Sequence, residues 1–321
     1  MGLTVREEEF DSLEAEWNAL MPNSFSDTVF STPLWQRIWW QELGQQGELL
    51  LYSFRKDGKL VGVAPMMRQN ALLSFIGESS ICDYLDFVVS REAEEEVYRA
   101  LADHIESLEW ESFSLSGIPA PSPTLNRIPS LFRDKGHSVD IRVEDVCPRL
   151  ELSPTWDDYL ATLTKKDRHE LRRKMRRLEK AGDACYYAVE DTQHLDEFLS
   201  LLKTSRQDKA RFMTPKVENF FRAMAQALAQ AGYLRLFFLE VNGTKVSSAI
   251  CFDYGGWFSI YNSGYDVAYS SLSVGLLLKA FCLKEAIAAG RRCFDFLRGA
   301  EYYKYDLGAT DMPVYSITVH R

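Results

Sequence analysis

Two hairpin turns set 185 positions apart constrain this chain more than any other feature. Asp57-Gly58 separates the apolar runs LLLYSFR and LVGVAPMM, and Asn242-Gly243 separates LRLFFLEV from KVSSAICFD. Asp-Gly and Asn-Gly suit the two-residue hairpin turn, in which both central residues take positive φ. After each turn the same order of text follows: a strand (LLSFIG; WFSIYNSG), a loop, a helix, then a strand ending in glycine. Those last strands are FSLSG at 117 and FDFLRG at 299, offset by 182. One element order and one turn chemistry, met twice, predict two copies of a single mixed α/β unit. At 321 residues the chain is also long for one core,. The expected domains are residues 1–150 and residues 151–321.

The copies differ in their loops. The first has an acidic loop with Glu78, Asp83 and Asp86, whereas the second has small residues, Ser263, Gly264, Ser270, Ser271 and Ser273. A helix apolar on nearly every side then runs from about Ser273 to Ala289, with Gly290 as its stop,. A strand, a small-residue loop and a buried helix offer free backbone N–H groups and the positive end of a helix dipole to an anion. Gly275 would let a ligand approach the first turn. An ordinary crossover with no ligand fits the same residue types, because no complete glycine fingerprint is present.

Charge divides in the same way. Residues 1–150 hold 13 Lys+Arg against 25 Asp+Glu, and residues 151–321 hold 24 against 21. An anionic ligand therefore belongs to the second copy. Nine of the basic residues lie in LTKKDRHELRRKMRRLEKAG at 163–182, where Leu171, Met175 and Leu178 mark a buried helical stripe,. The apolar runs are too short to span a bilayer, and MGLTVREEEF lacks a basic-then-apolar leader pattern,. Six cysteines form no CxxC pair. Reduced thiols, no metal site and a cytoplasmic location are the expectation. The Pro/Ser-rich run IPAPSPTLNRIP reads as a loop or linker, Ser153-Pro154 as a helix start, Leu195 to Lys209 as one helix, and MPVYSITVH as the closing strand of the second copy,.

With these motifs in view, the chain resembles the CelD/BcsL-like branch of the GNAT acyltransferase superfamily, related to the FemABX peptidyltransferases. The matching text is VGVAPMM and CDYLDFVV in the first half, then RHELRRKMRRLEKAG, DKARFM, SSLSVGLLLKAFCLKEAIAAG and FDFLRGAEYYK. The resemblance implies tandem GNAT-like domains of α/β class with mixed sheets, the first a degenerate substrate platform and the second the acyltransferase. It implies transfer of an acyl group from acyl-CoA, such as acetyl-CoA, to an amine or hydroxyl, in cell-surface polysaccharide or lipid metabolism. The donor's pyrophosphate would lie at Ser271, Leu272, Ser273, Val274, Gly275, Leu276 and Leu277. The usual loop reads Gln/Arg-x-x-Gly-x-Gly/Ala. Here one glycine is kept and the leading Gln or Arg is absent, and FemABX relatives with degenerate loops take aminoacyl-tRNA instead.

Acyl transfer needs a base, an oxyanion donor and a proton for the leaving group. After the last strand of the crossover come Glu301 as a base, Tyr303 as a proton donor, and Arg298 and Lys304 as cations. Asp295 would orient Arg298 or stay as a satisfied carboxylate. All of these also fit solvated residues at a strand end. Arg172 and Arg176 are read as clamping an anionic substrate, touching tRNA phosphates or facing solvent. Asp83, Tyr84 and Asp86 would receive a cationic acceptor in a cleft between the copies, near Lys209, Arg211 and Phe212, or only cap their loop. The acceptor is a small molecule, glycan or peptide, with no DNA partner, and tRNA enters only with the aminoacyl-tRNA reading. A non-catalytic module of polysaccharide assembly is the reading from another class.

Overall fold

The computed structural model describes residues 2–321. The chain divides into two compact units, Met1–Val146 with Met312–Arg321, and Cys147–Asp311.

The first unit runs β1 (Leu3–Glu7), α1 (Phe10–Leu20), α2 (Pro33–Leu43), β2 (Glu48–Lys56), β3 (Lys59–Gln69), β4 (Leu72–Phe75) and β5 (Val88–Val89). It continues with α3 (Glu94–Glu106), β6 (Ser112–Pro119), α4 (Thr124–Asp134) and β7 (Ser138–Val146). The second runs β8 (Arg149–Glu151), α5 (Trp156–Thr162), α6 (Lys165–Glu179), β9 (Ala184–Val189), α7 (Leu195–Ser205), α8 (Gln207–Phe212), α9 (Pro215–Gln230), β10 (Leu234–Val241) and β11 (Thr244–Tyr254). After these come β12 (Trp257–Tyr265), α10 (Val274–Ala288), β13 (Cys293–Asp295) and α11 (Tyr302–Asp306), and the chain then closes with β14 (Pro313–His320).

The two sheets repeat one plan. The first has the order β1-β2-β3-β4-β6-β14-β7, with β5 paired to β3, and the second β8-β13-β12-β11-β10-β9. In each, three antiparallel pairings lead to one parallel pairing, β4 with β6 and β12 with β13, and then to an antiparallel neighbour. Both hairpin turns take positive φ at their two central residues, 51° and 83° at Asp57 and Gly58, and 51° and 74° at Asn242 and Gly243, as the paired residue types require. The fold is mixed α/β, in two copies.

Four expectations change. The last strand belongs to the first sheet, where β14 pairs with β6 and β7, and the matching place in the second sheet is filled by β8. Residues 312–321 are therefore part of the first unit. The second half of the Pro/Ser-rich run folds into α4, because Ile128 and Phe132 recur at helical spacing and are buried and the Ser122 hydroxyl accepts the Thr124 N–H. Its Pro129 sits inside the helix. The helix after Ser153-Pro154 starts later, capped by Thr155, whose hydroxyl accepts the Asp158 N–H. The expected helix from Leu195 to Lys209 breaks at Arg206, which takes extended backbone between α7 and α8.

The second core gathers on both faces of its sheet. α10 is buried at Val274, Leu277, Leu278, Cys282, Leu283 and Ile287, with Phe237, Ile260, Phe294 and Phe296 around it. That apolar surround explains why a helix without a polar stripe is stable in water.

Candidate functional site

The geometry of the second unit centres on a strand that parts from its neighbour. β12 pairs with β13 only from Trp257 to Ser259, then runs on to Tyr265 alone on that side. Opposite β11 its register slips between Ile250 and Cys251, so Tyr261 is an extra residue, a bulge that bends the strand,. The Ser263 N–H donates to the Asn262 side-chain oxygen at 3.0 Å, and the Lys209 ammonium donates to the Ser263 carbonyl at 2.5 Å and to Asn262 Oδ1 at 3.1 Å. An oxyanion hole at Ser263 would thus have to displace an internal hydrogen bond.

A 3-10 turn over Val267–Leu272 then delivers the chain to α10. Ser273 adopts a left-handed conformation, φ 58° and ψ 34°, and its hydroxyl does not cap the helix. Instead it accepts a hydrogen bond from the Arg177 guanidinium at 2.8 Å. The first N–H groups of α10 have no partner within the helix. α6 thus meets the start of α10, and Lys174, one turn before Arg177, lines the same space. Lys174 also pairs with Glu170 at 3.2 Å, whose carboxyl is held down to about 2 by Arg173 and Lys174.

A cavity of about 550 Å³ opens here. Of the expected residues it collects Ser273, Val274, Gly275, Leu276, Lys209, Glu301 and Tyr303. It adds Lys174, Arg206, Tyr265 and Lys279, which were not foreseen. Lys279 lies in the second turn of α10, and its ammonium donates to the Gly275 carbonyl at 3.0 Å and sits 4.7 Å from the Tyr303 ring centre. Burial lowers both Lys209 and Lys279 to about 8. Burial and the Glu301 charge push the Tyr303 phenol up, so it keeps its proton,. Burial pushes Glu301 up, but the Lys304 ammonium 3.0 Å away outweighs it, and the carboxyl stays below its usual range.

The other expected residues stand elsewhere. Lys304 is buried, and its ammonium donates to the carbonyls of Leu297, Arg298 and Gly299 at 2.8, 2.9 and 2.8 Å. Three protons on three carbonyls leave none for a phosphate. Lys304 instead fastens a loop in which Leu297 and Gly299 take φ of 56° and 107°. Asp295 is buried and accepts the Leu297 N–H at 2.8 Å, holding the same loop from the other end. Arg298 and Lys304 lie outside the cavity lining. Gly275 leaves room for a protein ring rather than for a ligand, since a Cβ there would come within 2.9 Å of Tyr265 Cδ1. Ser271 is exposed, while Leu272 and Leu277 pack on the core. Arg172 and Arg176 are exposed and do not line the cavity.

The helix face explains that shift. With Leu171 and Leu178 buried, Lys174 and Arg177 flank the stripe, and Arg172, Arg173 and Arg176 point outward,. Helical spacing alone would have picked Lys174 and Arg177. Arg211 is exposed, and Phe212 packs edge-on against Phe221 at 6.5 Å. Tyr84 and Asp86 are buried in the first unit. Tyr84 packs against Phe30, and Asp86 accepts from Thr124 and from the Phe87 N–H. Those contacts make Asp86 a core carboxylate. Asp83, partly buried beside them, is in the same unit.

Among the described residues there is no cluster of side chains that would hold a metal and no helix long and apolar enough to cross a membrane. Residues 165–305 match the acetyltransferase (GNAT) domain family. No curated protein matches the chain in sequence. In fold, it is similar to FemX (TM-score 0.71, 12% identity, covering 98% of this chain and 96% of that one). It is also similar to the C-terminal domain of a putative lysylphosphatidylglycerol synthetase from Agrobacterium fabrum (0.62, 10%, 98% and 92%). A tandem GNAT protein from the clavulanic acid biosynthesis pathway aligns over 98% of both chains (0.53, 11%). The fold is a GNAT-like one in tandem, and the stretch that matches the acetyltransferase domain family lies within the second unit.

Proposed function

We propose that the second unit transfers an acyl group from acyl-CoA to an amine or hydroxyl, in a cytoplasmic protein of the CelD/BcsL-like branch. The observation that carries this reading is the convergence of Arg177 and Lys174 on the start of α10, beside the parted strand β12. Two cations and free helical N–H groups make a pyrophosphate site. The missing leading Gln or Arg of the loop is replaced in space by side chains from α6.

The acceptor's lone pair attacks the thioester carbonyl. The C–S bond then breaks, the acceptor loses a proton and the thiolate gains one. Ionised Glu301 takes the first proton directly or through water, and protonated Tyr303 supplies the second. The acceptor is a small molecule, glycan or peptide.

Calorimetric titration with acetyl-CoA, a long-chain acyl-CoA and CoA tests the donor. Micromolar binding that fails in Arg177→Met supports it, and no heat with any of the three sinks it. A second reading, aminoacyl-tRNA as donor, draws on the outward face of α6, where Arg172, Arg173 and Arg176 are exposed. It requires tRNA binding that weakens steeply with salt and with neutralisation of those three.

A further inference from the structure

Lys209 and Lys279 are the part of this cavity that acyl transfer from CoA does not use. They come from different elements, α8 and α10, and line the same space. Each is half-buried. Among the described residues neither forms an ion pair, although other basic side chains around them do, such as Lys203 with Glu218 and Lys174 with Glu170. Of the carboxylates nearby, Glu301 sits on Lys304 at 3.0 Å and Asp208 on Arg206 at 2.7 Å, and Asp306, which lines the same cavity, forms no ion pair with either lysine among the described residues.

An ammonium withdrawn from water without a counter-charge is costly. The hydrogen bonds show the form in which these lysines are held. Lys209 points donors at the Ser263 carbonyl and Asn262 Oδ1, and Lys279 points one at the Gly275 carbonyl. Every one of these partners is an oxygen acceptor, which suits an ammonium group,. An ammonium has three donors. One donor is therefore left on Lys209 and two on Lys279.

We infer that the acceptor is an oxyanion-bearing molecule, its carboxylate or phosphate held between the Lys209 and Lys279 ammonium groups. The reading rests on the cavity being the site of acyl transfer. It narrows the acceptor to an amine or hydroxyl compound carrying an acidic group. Tyr265 and Tyr303 line the same cavity and offer ring faces to its carbon skeleton. In this reading the donor's phosphates take Arg177, which donates to Ser273 at the start of α10.

The lowered proton affinity of the two lysines agrees. Lys209 is affected by burial and by Arg206, against Asp208 and Glu301. Lys279 is affected by burial, Lys209 and Lys304, against Cys282 and Glu301. A bound anion reverses that effect and raises both.

The test is NMR of the full chain carrying ¹³C-labelled lysine, at pH about 8 and constant ionic strength, with inorganic phosphate in one arm and acetate in the other. In at least one arm the ε-carbon signals of Lys209 and Lys279 should move along one saturation curve. Their titration midpoints should rise by about one unit. Lys279→Met should weaken that anion roughly tenfold, read at Lys209. The arm that responds identifies phosphate or carboxylate. If neither anion moves these signals more than that of Lys165 on α6, or if Lys279→Met leaves the response at Lys209 unchanged, the inference is overturned. Acetyl-CoA titrated into the same samples separates the two readings. Donor binding without the lysine response defeats this inference alone, and the lysine response without donor binding defeats the donor assignment alone.

Discussion

The two crossovers of this chain share a topology and differ in what fills them. In the first unit β4 parts from β6 after two paired residues, and the chain fills the gap itself: the Leu85 N–H donates to the Gly117 carbonyl at 3.0 Å, and Ile81, Cys82 and Phe87 are buried. The helix that follows, α3, has Glu94, Glu95 and Glu96 in its first turn. Negative charge there satisfies the helix dipole and repels an anion. In the second unit α10 has no acid in its first turn and meets Arg177 and Lys174. One backbone plan therefore makes a plugged, acidic crossover in one copy and an open, basic one in the other. The fold alone supplies neither outcome, and the side chains at the parted strand decide it.

Four changes would break or sharpen that contrast. The largest concerns the loop after the parallel strand. Lys304→Met strips the buried Leu297 carbonyl and the half-buried Arg298 and Gly299 carbonyls of their donor and should cost the second unit about 3–5 kcal/mol,, read by chemical denaturation. In the first unit the corresponding Gly117 is held without a lysine, by its N–H on Glu144 at 2.8 Å and by its carbonyl, which accepts the Leu85 N–H, and Glu144→Gln should cost about 1 kcal/mol. Equal losses would mean that the loop is not held by Lys304. Next, Arg177→Glu reverses a charge at the start of α10 and should weaken acyl-CoA roughly 100-fold, about 3 kcal/mol. The converse change, Glu94→Lys with Glu95→Lys, should create no donor binding in the first unit, because Leu85 and its neighbours fill the gap.

Third, Asp86 gives the first unit a pH dependence of its own. Burial pushes its carboxyl up to about 6, against hydrogen bonds from Ser122, Thr124 and the Phe87 N–H. Since the folded state favours the neutral acid, the stability it contributes is fully present below about pH 4 and is lost as the pH rises through about 6, by about 2–3 kcal/mol. Asp86→Asn should flatten the stability of the wild-type chain between pH 4 and 7. A slope that survives the substitution would assign the effect to another group. The second unit slopes the other way at higher pH. Lys209 and Lys279, lowered to about 8, make it more stable as the pH rises from about 8 toward 10,.

Much of this contrast was legible in the residues, and the rest was not for definable reasons. The hairpin pairs were readable because Asp57-Gly58 and Asn242-Gly243 are a local turn chemistry. The buried α10 was readable because its apolar text is continuous. The acidic loop and the Ser-rich loop were visible as composition. The position of β14 was not, since nothing in PVYSITVH says which sheet edge it joins. The site residues divide similarly. Glu301, Tyr303, Lys209 and Ser273 were found by nearness to a motif. Lys279 was missed because a lone lysine in an apolar helix looks like a solvated exception. On α6 the run of charges makes Arg172 and Arg176 as eligible as Lys174 and Arg177 until the stripe of Leu171, Met175 and Leu178 is used to orient the helix face. Lys304 reads in sequence as a cation for a phosphate or a developing negative charge, since sequence does not show a side chain turning back to three carbonyls of its own loop.

The smallest expected effect tests the finest point, the role of Gly275. A ligand-clearance role predicts that Gly275→Ala blocks the donor directly. The structure gives the space to Tyr265, whose ring carbon would lie 2.9 Å from the new Cβ. Alanine in place of glycine favours a helix by up to about 1 kcal/mol, and the ring must shift by a few tenths of an ångström to admit it. The two terms nearly cancel, so stability should change by about 0.5 kcal/mol or less. The displaced ring moves at the wall of the cavity, and acyl-CoA affinity should fall by a few-fold. Tyr265→Ala removes the obstacle, so in the double variant Gly275→Ala should have no further effect on affinity. The coupling between the two positions is the measurement. An alanine at 275 that lowers affinity equally with Tyr265 present or absent would show that the ligand, and not the ring, needs the missing Cβ, which would restore to this glycine the part that the first copy's crossover has no need of.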